Sequence, residues 1–229
     1  VCAAGSLPGD LHKMWRVKDP YGYHVEYAFS CMGYEIAGGL GVKRAAVAEA
    51  QRAGTPQDAR DVVVMVGDGS YLMMHTELVT AVAEGLKLVV VLIQNHGYAS
   101  IGALSEQLGS QRFGTKYRYL DGARHSFDDG STLPIDLATN AESLGVRVLR
   151  VEPGEGVIDR LKDAVAQAKA VPEGSGPVLV HVESDPLIDA PSSESWWDVP
   201  VASVSELDST QNAYQTYADH KARQKPLIG

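Results

Sequence analysis

The chain has 229 residues, 45% of them hydrophobic and 21% charged, as in a globular protein of one large domain or two small ones. The formal net charge is −9 and no basic stripe is present, which argues against a nucleic-acid partner. No apolar run approaches the roughly 20 residues that a membrane span needs, so no membrane partner is expected. Cys2 and Cys31 offer no disulfide framework and no signal peptide is visible, which indicates a reducing, cytoplasmic location.

Taken in chain order, the predicted elements indicate an α/β fold. The apolar stretch 1–4 is interpreted as the end of a strand, and because no initiator methionine precedes it we expect a piece of a longer chain. Further strands are predicted at 25–29, 62–66, 88–94, 146–151 and 177–182. Helices are predicted at 10–15, 34–51, 78–82, 137–144 and 157–168. Apolar strands alternating with helices predict a doubly wound, mostly parallel sheet of about six strands with helices on both faces.

Two regions depart from this alternation. Residues 95–135 show no steady period, and a connection of that length is usually a lid or a binding loop. We therefore expect residues 100–130 to be mobile without a ligand. A first domain is expected to span 1–184, followed by a tail, 185–229, in which Trp196 and Trp197 pack on this chain or on a partner.

Glycines inside the helix predicted at 34–51 are also unusual. Gly38, Gly39 and Gly41 each cost about 1 kcal/mol relative to alanine in a helix interior. Close packing of this helix on a neighbouring element is the expected reason.

Two polar loops follow predicted parallel strands. Gly67-Asp68-Gly69-Ser70 comes after strand 62–66, and Asn95-His96-Gly97 comes after strand 88–94. Open α/β sheets bind their ligands at this edge. One carboxylate, one amide oxygen and a backbone carbonyl suit Mg²⁺, which prefers one or two protein groups together with phosphate oxygens. Glycines let the backbone approach such phosphates closely. The loops therefore indicate a magnesium ion that holds a phosphate-bearing cofactor.

These motifs resemble those of the thiamine-diphosphate-dependent enzymes. Gly-Asp-Gly, a segment of about 25 residues and then Asn at a strand end form one part of the resemblance. The run Ser30-Cys31-Met32-Gly33-Tyr34-Glu35, with the helix after it, resembles the Met-Gly segment of the acetolactate synthase and pyruvate oxidase group. Residues 4–11, 27–35, 68–78 and 193–197 further resemble the trihydroxycyclohexanedione hydrolases of inositol catabolism. One departure is His96, which stands where the wider superfamily commonly has a second asparagine.

The resemblance implies a set of site residues. Mg²⁺ would be bound by Asp68, Asn95 and the carbonyl of Gly97. Thiamine diphosphate would be contacted by Gly5, Ser6, Leu7, Met32, Gly33, Gly67, Asp68, Gly69, Ser70, Asn95, Gly97 and Tyr98. Met32 would lie under the cofactor and hold its two rings in a bent conformation, a task that suits a soft thioether.

The resemblance also implies a reaction and partners. The thiazolium ylid would attack a ring carbonyl of the cyclic polyhydroxy dione, and carbon–carbon cleavage with hydrolysis would give 5-deoxyglucuronate. The activating glutamate belongs to an amino-terminal pyrimidine-binding domain of a neighbouring subunit, so a homo-oligomer is expected and the chain alone should be inactive. Catalytic residues of this chain stay unassigned; His96 and His75 are candidate acids or bases. His125 is expected at the surface, and Glu35 is expected to be solvated.

Two alternatives remain open at the level of sequence. The first, of the same cofactor class, is a carboligase similar to acetolactate synthase, or a 2-oxoacid decarboxylase. The second is a non-catalytic module that binds magnesium and a diphosphate.

Overall fold

The elements below are those of a computed structural model, which describes residues 1–26, 28–56, 59–125, 130–188, 196 and 198–225. The strands are β1 Val63–Gly67, β2 Val89–Gln94, β3 Arg147–Val151 and β4 Val178–Glu183. The helices are α1 Ser6–Met14, α2 Tyr34–Arg52, α3 Asp68–Met73, α4 Glu77–Ala83, α5 Ala99–Gln107, α6 Leu137–Ser143, α7 Val157–Ala170 and α8 Asp208–Arg223. The chain divides into two compact units, Val1–Gly97 with Pro134–Asp189 and Tyr98–Leu133 with Ala190–Gly229.

The first unit is built on a parallel sheet with the strand order β1-β2-β4-β3. Two hydrophobic clusters cover it. One combines Val64 and Leu92 of the strands with Ile36 of α2, and the other combines Val180 of β4 with Ala164 of α7. Because successive strand residues point to opposite faces, the two clusters lie on the two faces of the sheet, which confirms the predicted doubly wound architecture. No helix in the described ranges is long and apolar enough to cross a membrane.

The described sheet has four strands rather than about six, and the difference lies in the first 30 residues. The amino group of Val1 donates to the carbonyl of Val63 at 2.7 Å, and Met65 N–H donates to the Val1 carbonyl at 2.9 Å. Cys2 in turn forms a single parallel bridge with Val25. The strands expected at 1–4 and 25–29 are thus reduced to isolated pairings beside β1. Backbone turns with positive φ follow both, at Gly5 (104°) and at Ser30 (53°), and end the extended conformation.

The second unit corrects the expectation that residues 95–135 are irregular throughout. Helix α5 occupies nine of them, and Arg118 forms an antiparallel bridge with Thr132. Within the same unit, the hydroxyls of Ser209 and Thr210 donate to the carbonyl of Gly109 at 2.6 and 2.8 Å. Residues 98–133 therefore group with the tail. The domain boundary expected after residue 184 stays a prediction.

The tryptophan pair of the tail is described only in part. The ring of Trp196 lies 5.6 Å from that of His220, edge to face, and 6.4 Å from that of Tyr217. Both partners are on α8, so Trp196 packs on the chain itself. Trp197 lies outside the described residues.

Candidate cofactor and metal site

Asp68 lies where β1 ends, and its carboxylate joins the two predicted loops. Its Oδ1 accepts a hydrogen bond from the N–H of Gly69 at 2.9 Å. Its Oδ2 accepts from the N–H of Asn95 at 3.0 Å and from that of Gly97 at 3.2 Å. Because β1 and β2 are adjacent and parallel, the structure brings Asp68 and Asn95 together as their positions at strand ends predict.

The surroundings of Asp68 make its charge costly in the absence of a cation. The residue is only 2% exposed. Burial raises the pKa of the Asp68 carboxyl above its ordinary value, while hydrogen bonds from the backbone amides of Gly97, Asn95 and Gly69 oppose that change. An adjacent cation would favour the ionised form. The carboxylate is therefore placed and oriented as a metal ligand would be.

Asn95 provides the test of whether the site fits a metal. Its side-chain oxygen, Oδ1, is buried and has no hydrogen-bond partner among the described residues. A buried acceptor left without a partner costs about 1–3 kcal/mol, so such an atom calls for a ligand. Hard cations take carboxylate and amide oxygens, and Asn95 is held beside Asp68 by its own backbone N–H. The pair fits Mg²⁺.

The donors of this site are mixed rather than all acidic. No group of three His, Cys, Asp or Glu side chains that could bind a metal occurs in the described part of the chain. The ligand set expected from the sequence instead draws on one carboxylate, one amide and one backbone carbonyl. A cofactor diphosphate and water would supply the remaining oxygens.

His96 adopts a backbone conformation that favours glycine, with φ 59°. Its Nδ1 lies 3.2 Å from Nε2 of Gln94, and its Nε2 lies 3.5 Å from a carboxylate oxygen of Glu183. Gln94 also contacts His181 Nε2 through its Oε1 at 2.9 Å, and burial lowers the pKa of His181. This network holds the turn that carries Asn95. Sequence reasoning missed Gln94, although a polar residue that ends an apolar strand was a usable signal.

The Met32-Gly33 turn lies against the end of α3. Gly33 has φ 95°, and a Cβ there would lie 3.1 Å from Cβ of Met74 and 3.4 Å from Cβ of Met73. Only glycine suits both the conformation and the space. Met32 itself is half-buried, and its predicted role under the cofactor stays a prediction.

Five further predicted cofactor residues fall into three places. Gly67 ends β1, and a Cβ there would meet nothing within 4 Å. Gly5 precedes α1, and Ser6 and Leu7, which lie before the helix predicted at 10–15, form the first turn of α1. Tyr98 belongs to the second unit, where its N–H donates to the carbonyl of Thr115. Their contacts with a cofactor stay predictions.

Two further histidines were given a role from the sequence: His75 as a candidate acid or base, and His125 as a surface residue. His75 stacks on the ring of Tyr71, with centroids 5.0 Å apart, and its Nδ1 lies 3.1 Å from the Tyr71 carbonyl oxygen. His125 is exposed, as expected. A packing role accounts for what His75 contacts.

Glu35 contradicts its prediction. It was expected to be solvated, yet it is 1% exposed. Its Oε2 accepts from the N–H of Gly33 at 2.9 Å, and burial raises the pKa of its carboxyl, while Ser70, Gly33 and Ala4 act to lower it. Ala4 and Ser70 belong to other segments of the chain, so the burial of Glu35 could not be read from its local sequence.

Comparison with known proteins agrees with this geometry. The family model described as "Thiamine pyrophosphate enzyme, C-terminal TPP binding domain" matches residues 3–182. The chain therefore belongs to this family of thiamine-pyrophosphate-binding domains.

Its curated relatives are more specific. A "3D-(3,5/4)-trihydroxycyclohexane-1,2-dione hydrolase 2" of Bacillus cereus is 40% identical over 216 residues, which are 94% of this chain and 31% of that protein. The hydrolase of Bacillus anthracis matches with the same identity and the same shares. The chain thus spans about a third of the length of these relatives.

Solved structures support the fold alone. Benzoylformate decarboxylase from Polynucleobacter necessarius aligns with a TM-score of 0.57 at 20% identity, over 83% of this chain and 31% of that one. A putative thiamin diphosphate-dependent enzyme from Mycobacterium smegmatis aligns with a TM-score of 0.55 at 19% identity, over 81% of this chain and 29% of that one.

Proposed function

We propose that this chain is the diphosphate- and magnesium-binding part of a thiamine-diphosphate-dependent hydrolase that opens trihydroxycyclohexane-1,2-dione to 5-deoxyglucuronate. The observation that carries the proposal is the buried side-chain oxygen of Asn95, which has no hydrogen-bond partner in the described part of the chain and whose backbone N–H bonds the carboxylate of Asp68. The choice of substrate is supported by 40% identity, over 94% of the chain, to proteins named for that activity.

In this proposal the residues of the chain bind and orient. Asp68, Asn95 and the carbonyl of Gly97 bind Mg²⁺, and Gly67, Gly69 and Ser70 approach the diphosphate. Met32 and Gly33 support the rings of the cofactor, and Gly5, Ser6 and Leu7 contact it from the start of α1. When bound, the cofactor supplies a carbon nucleophile and stabilises the carbanion that carbon–carbon cleavage leaves.

Several parts of the proposal concern the protein beyond this chain. The activating glutamate would come from a pyrimidine-binding domain of a neighbouring subunit, which makes the full-length protein a homo-oligomer. His96 remains a candidate for proton transfer, since its ring contacts Gln94 and Glu183. Tyr98 as a cofactor contact and a cytoplasmic location stay predictions.

The test compares the full-length protein with its Asp68→Ala variant, with thiamine diphosphate and Mg²⁺ supplied. We expect the wild-type protein to convert the cyclic dione to a ring-opened acid, followed by NMR. Asp68→Ala should lose magnesium-dependent cofactor binding in calorimetry, and with it turnover, because it lacks the only carboxylate ligand. Asp159→Ala removes a carboxylate of α7 whose side chain is 81% exposed, and this control should keep both.

The other outcomes separate the alternatives. Turnover of pyruvate without cleavage of the dione would favour a carboligase or decarboxylase. Cofactor binding with no turnover of either substrate would favour a non-catalytic module. Unchanged cofactor affinity in Asp68→Ala would contradict the metal assignment itself.

A further inference from the structure

Gln94 places a polar side chain where the pattern of β2 calls for an apolar one. Successive residues of a strand point to opposite faces, so Gln94 shares a face with Val90 and Leu92, which belong to a buried hydrophobic cluster. Gln94 is itself only 1% exposed. Burying an amide costs free energy unless its hydrogen bonds are replaced inside the protein. The hydrogen bonds of this amide therefore decide its cost and its role.

The side-chain amide of Gln94 has three partners, and their chemistry fixes its orientation. Its Nε2 lies 3.0 Å from the carbonyl oxygen of Ile135, which can only accept, so the nitrogen donates there. Because this nitrogen carries a second hydrogen, its contact with His96 Nδ1 at 3.2 Å is a donation as well. Its Oε1 accepts from His181 Nε2 at 2.9 Å. Both hydrogens and the oxygen of the amide are thus used.

His96 is the middle residue of the Asn95-His96-Gly97 turn, and its conformation shapes that turn. Its φ of 59° lies in the left-handed region that favours glycine. The N–H groups of Asn95 and Gly97 both donate to one oxygen, Oδ2 of Asp68, at 3.0 and 3.2 Å. A left-handed residue within a turn lets neighbouring N–H groups converge on one anionic atom. The conformation of His96 therefore sets the relative position of the two proposed ligands beside it.

The ring of His96 is held from two sides. Nδ1 accepts from Gln94, and Nε2 lies 3.5 Å from a carboxylate oxygen of Glu183. The Glu183 side chain is 49% exposed, and solvent weakens an ionic contact of that kind. Gln94 is buried and is anchored in turn by Ile135 and His181. The amide of Gln94 is therefore the firmer of the two supports.

The left-handed conformation of His96 needs such a support. A backbone conformation that a side chain resists persists only where surrounding contacts fix it. Gln94 supplies the contact, since its amide joins the His96 ring to segments 41 and 87 residues away from Gln94 in sequence. Without that amide His96 is free to relax to a negative φ, and the N–H groups of Asn95 and Gly97 then no longer converge.

We propose that Gln94 is a positioning residue whose side-chain amide holds His96 in the left-handed conformation that places Asn95 and Gly97 for Mg²⁺. The proposal rests on the proposed function, because the metal ligands are those assigned there. Gln94 acts through the turn and is not itself a ligand.

The experiment measures the Mg²⁺ concentration that half-saturates the binding of thiamine diphosphate to the full-length protein, by equilibrium dialysis. Gln94→Met keeps the length of the side chain and removes its hydrogen bonds. We expect this variant to need at least tenfold more Mg²⁺, because the turn relaxes. Its urea midpoint of unfolding without ligands should also fall, because the Ile135 carbonyl and the His181 ring lose a partner.

A second substitution separates positioning from stability. Glycine adopts a positive φ without a side-chain penalty, so the turn of Gln94→Met/His96→Gly no longer needs the support. The double variant should return to within threefold of the wild-type Mg²⁺ concentration, although its midpoint of unfolding stays low. A loss of affinity caused by instability alone would not be reversed in this way.

Two substitutions of His96 alone decide the question if Gln94→Met fails to fold. His96 is partly exposed, so both His96→Leu and His96→Gly should fold. Both remove the ring, but only leucine resists a positive φ. His96→Leu should need at least tenfold more Mg²⁺, and His96→Gly should differ from the wild type by less than threefold.

Gln167→Met is the matched control for the exchange of glutamine for methionine. Gln167 is exposed near the carboxyl end of α7, and its replacement should change neither the Mg²⁺ concentration nor the midpoint of unfolding.

Each other outcome counts against a stated claim. A wild-type Mg²⁺ concentration in Gln94→Met would overturn the positioning role and leave the proposed function standing. A loss in Gln94→Met that His96→Gly does not restore would also overturn it, as would equal values in His96→Leu and His96→Gly. A wild-type protein that binds no thiamine diphosphate with Mg²⁺ would overturn the proposed function, and this inference with it.

Discussion

At the scale of single residues, the candidate site combines a carboxylate whose two oxygens accept hydrogen bonds with an amide oxygen that accepts none from the described residues. Both carboxylate oxygens of Asp68 accept backbone hydrogen bonds, whereas Asn95 Oδ1 accepts none from the described residues. The contrast separates a group that the fold has fixed from an atom that still needs a partner. Replacing Asn95 should therefore change the free energy of unfolding differently in the presence and in the absence of the ligand.

We therefore predict opposite effects for Asn95→Ala in the two states. Without Mg²⁺ and cofactor, the free energy of unfolding should stay unchanged or rise by up to about 1 kcal/mol, because an unsatisfied buried acceptor is removed. With both ligands present, the extra stability that ligand binding gives to the wild type should be lost. Urea unfolding of the full-length protein with and without the ligands measures both values.

Asn140→Ala is the comparison variant for this prediction. Asn140 Oδ1 accepts from the hydroxyl of Tyr71 at 2.8 Å, and the Tyr71 side chain is fully buried. Its removal should cost about 1–3 kcal/mol in either state and leave the stabilisation by ligand intact. Equal losses in the two variants would show that Asn95 is an ordinary buried amide.

The same scale shows which part of the site the sequence can reveal. Asp68 and Asn95 each follow an apolar strand, and parallel neighbouring strands end at one edge, so their proximity follows from local pattern. Glu35 gives no such sign, because an acidic residue in a first helical turn is equally typical of a solvated cap. Glu35 is nevertheless buried, and Ala4 and Ser70, which influence the pKa of its carboxyl, are brought near it only in the folded chain.

At the scale of elements, the glycines of α2 show which close contacts of a helix can be predicted from its glycine content. Close packing was expected for all three. A Cβ on Gly39 would lie 2.2 Å from Cγ2 of Val64 on β1, and one on Gly38 would lie 2.3 Å from the ring of Tyr34 in the same helix. At Gly41 nothing lies within 4 Å. The prediction of packing on a neighbouring element is thus confirmed at Gly39 and wrong at Gly41.

This difference gives a matched pair of predictions on one helix. Gly41→Ala should raise the free energy of unfolding by up to about 1 kcal/mol, because alanine has the higher helix propensity and the site is open. Gly39→Ala should lower it by about 1–3 kcal/mol, because the β-branched Val64 is fully buried and cannot move aside without overpacking the core. Urea unfolding of the two variants measures both signs, and a stabilising Gly39→Ala would contradict the packing of α2 on β1.

Element boundaries were hardest to predict where apolar pattern and burial disagree. In α5, Ile101 and Leu104 are 48% and 59% exposed, so this helix lacks the buried apolar face that periodicity detects. The helix packs closely on the chain at Gly102 instead, where a Cβ would lie 2.6 Å from Oγ1 of Thr115. A helix held in this way leaves little trace in hydrophobic periodicity.

At the scale of the whole molecule, the first unit presents large apolar side chains near the proposed site. Met73 and Met74, at the end of α3, are 51% and 48% exposed and lie beside Gly33. Phe29, just before the Met32 turn, is 86% exposed. Exposed apolar groups close together commonly mark an interface. Their place next to the loops proposed to bind the cofactor fits the proposal that another domain covers this edge and supplies the activating glutamate.

The last prediction follows from that division of the site. This chain contains the proposed metal and diphosphate ligands but spans only 31% of its curated relatives. Expressed alone and shown by circular dichroism to be folded, it should give no ring opening with cofactor, Mg²⁺ and the dione, whereas the full-length protein should turn over. The proposed metal and diphosphate ligands would hold the cofactor, whereas in the proposed function the acid that activates it would be a glutamate of the pyrimidine-binding domain. Measurable ring opening by the folded chain would mean that an acid within it performs this step, and the need for a second domain would fall.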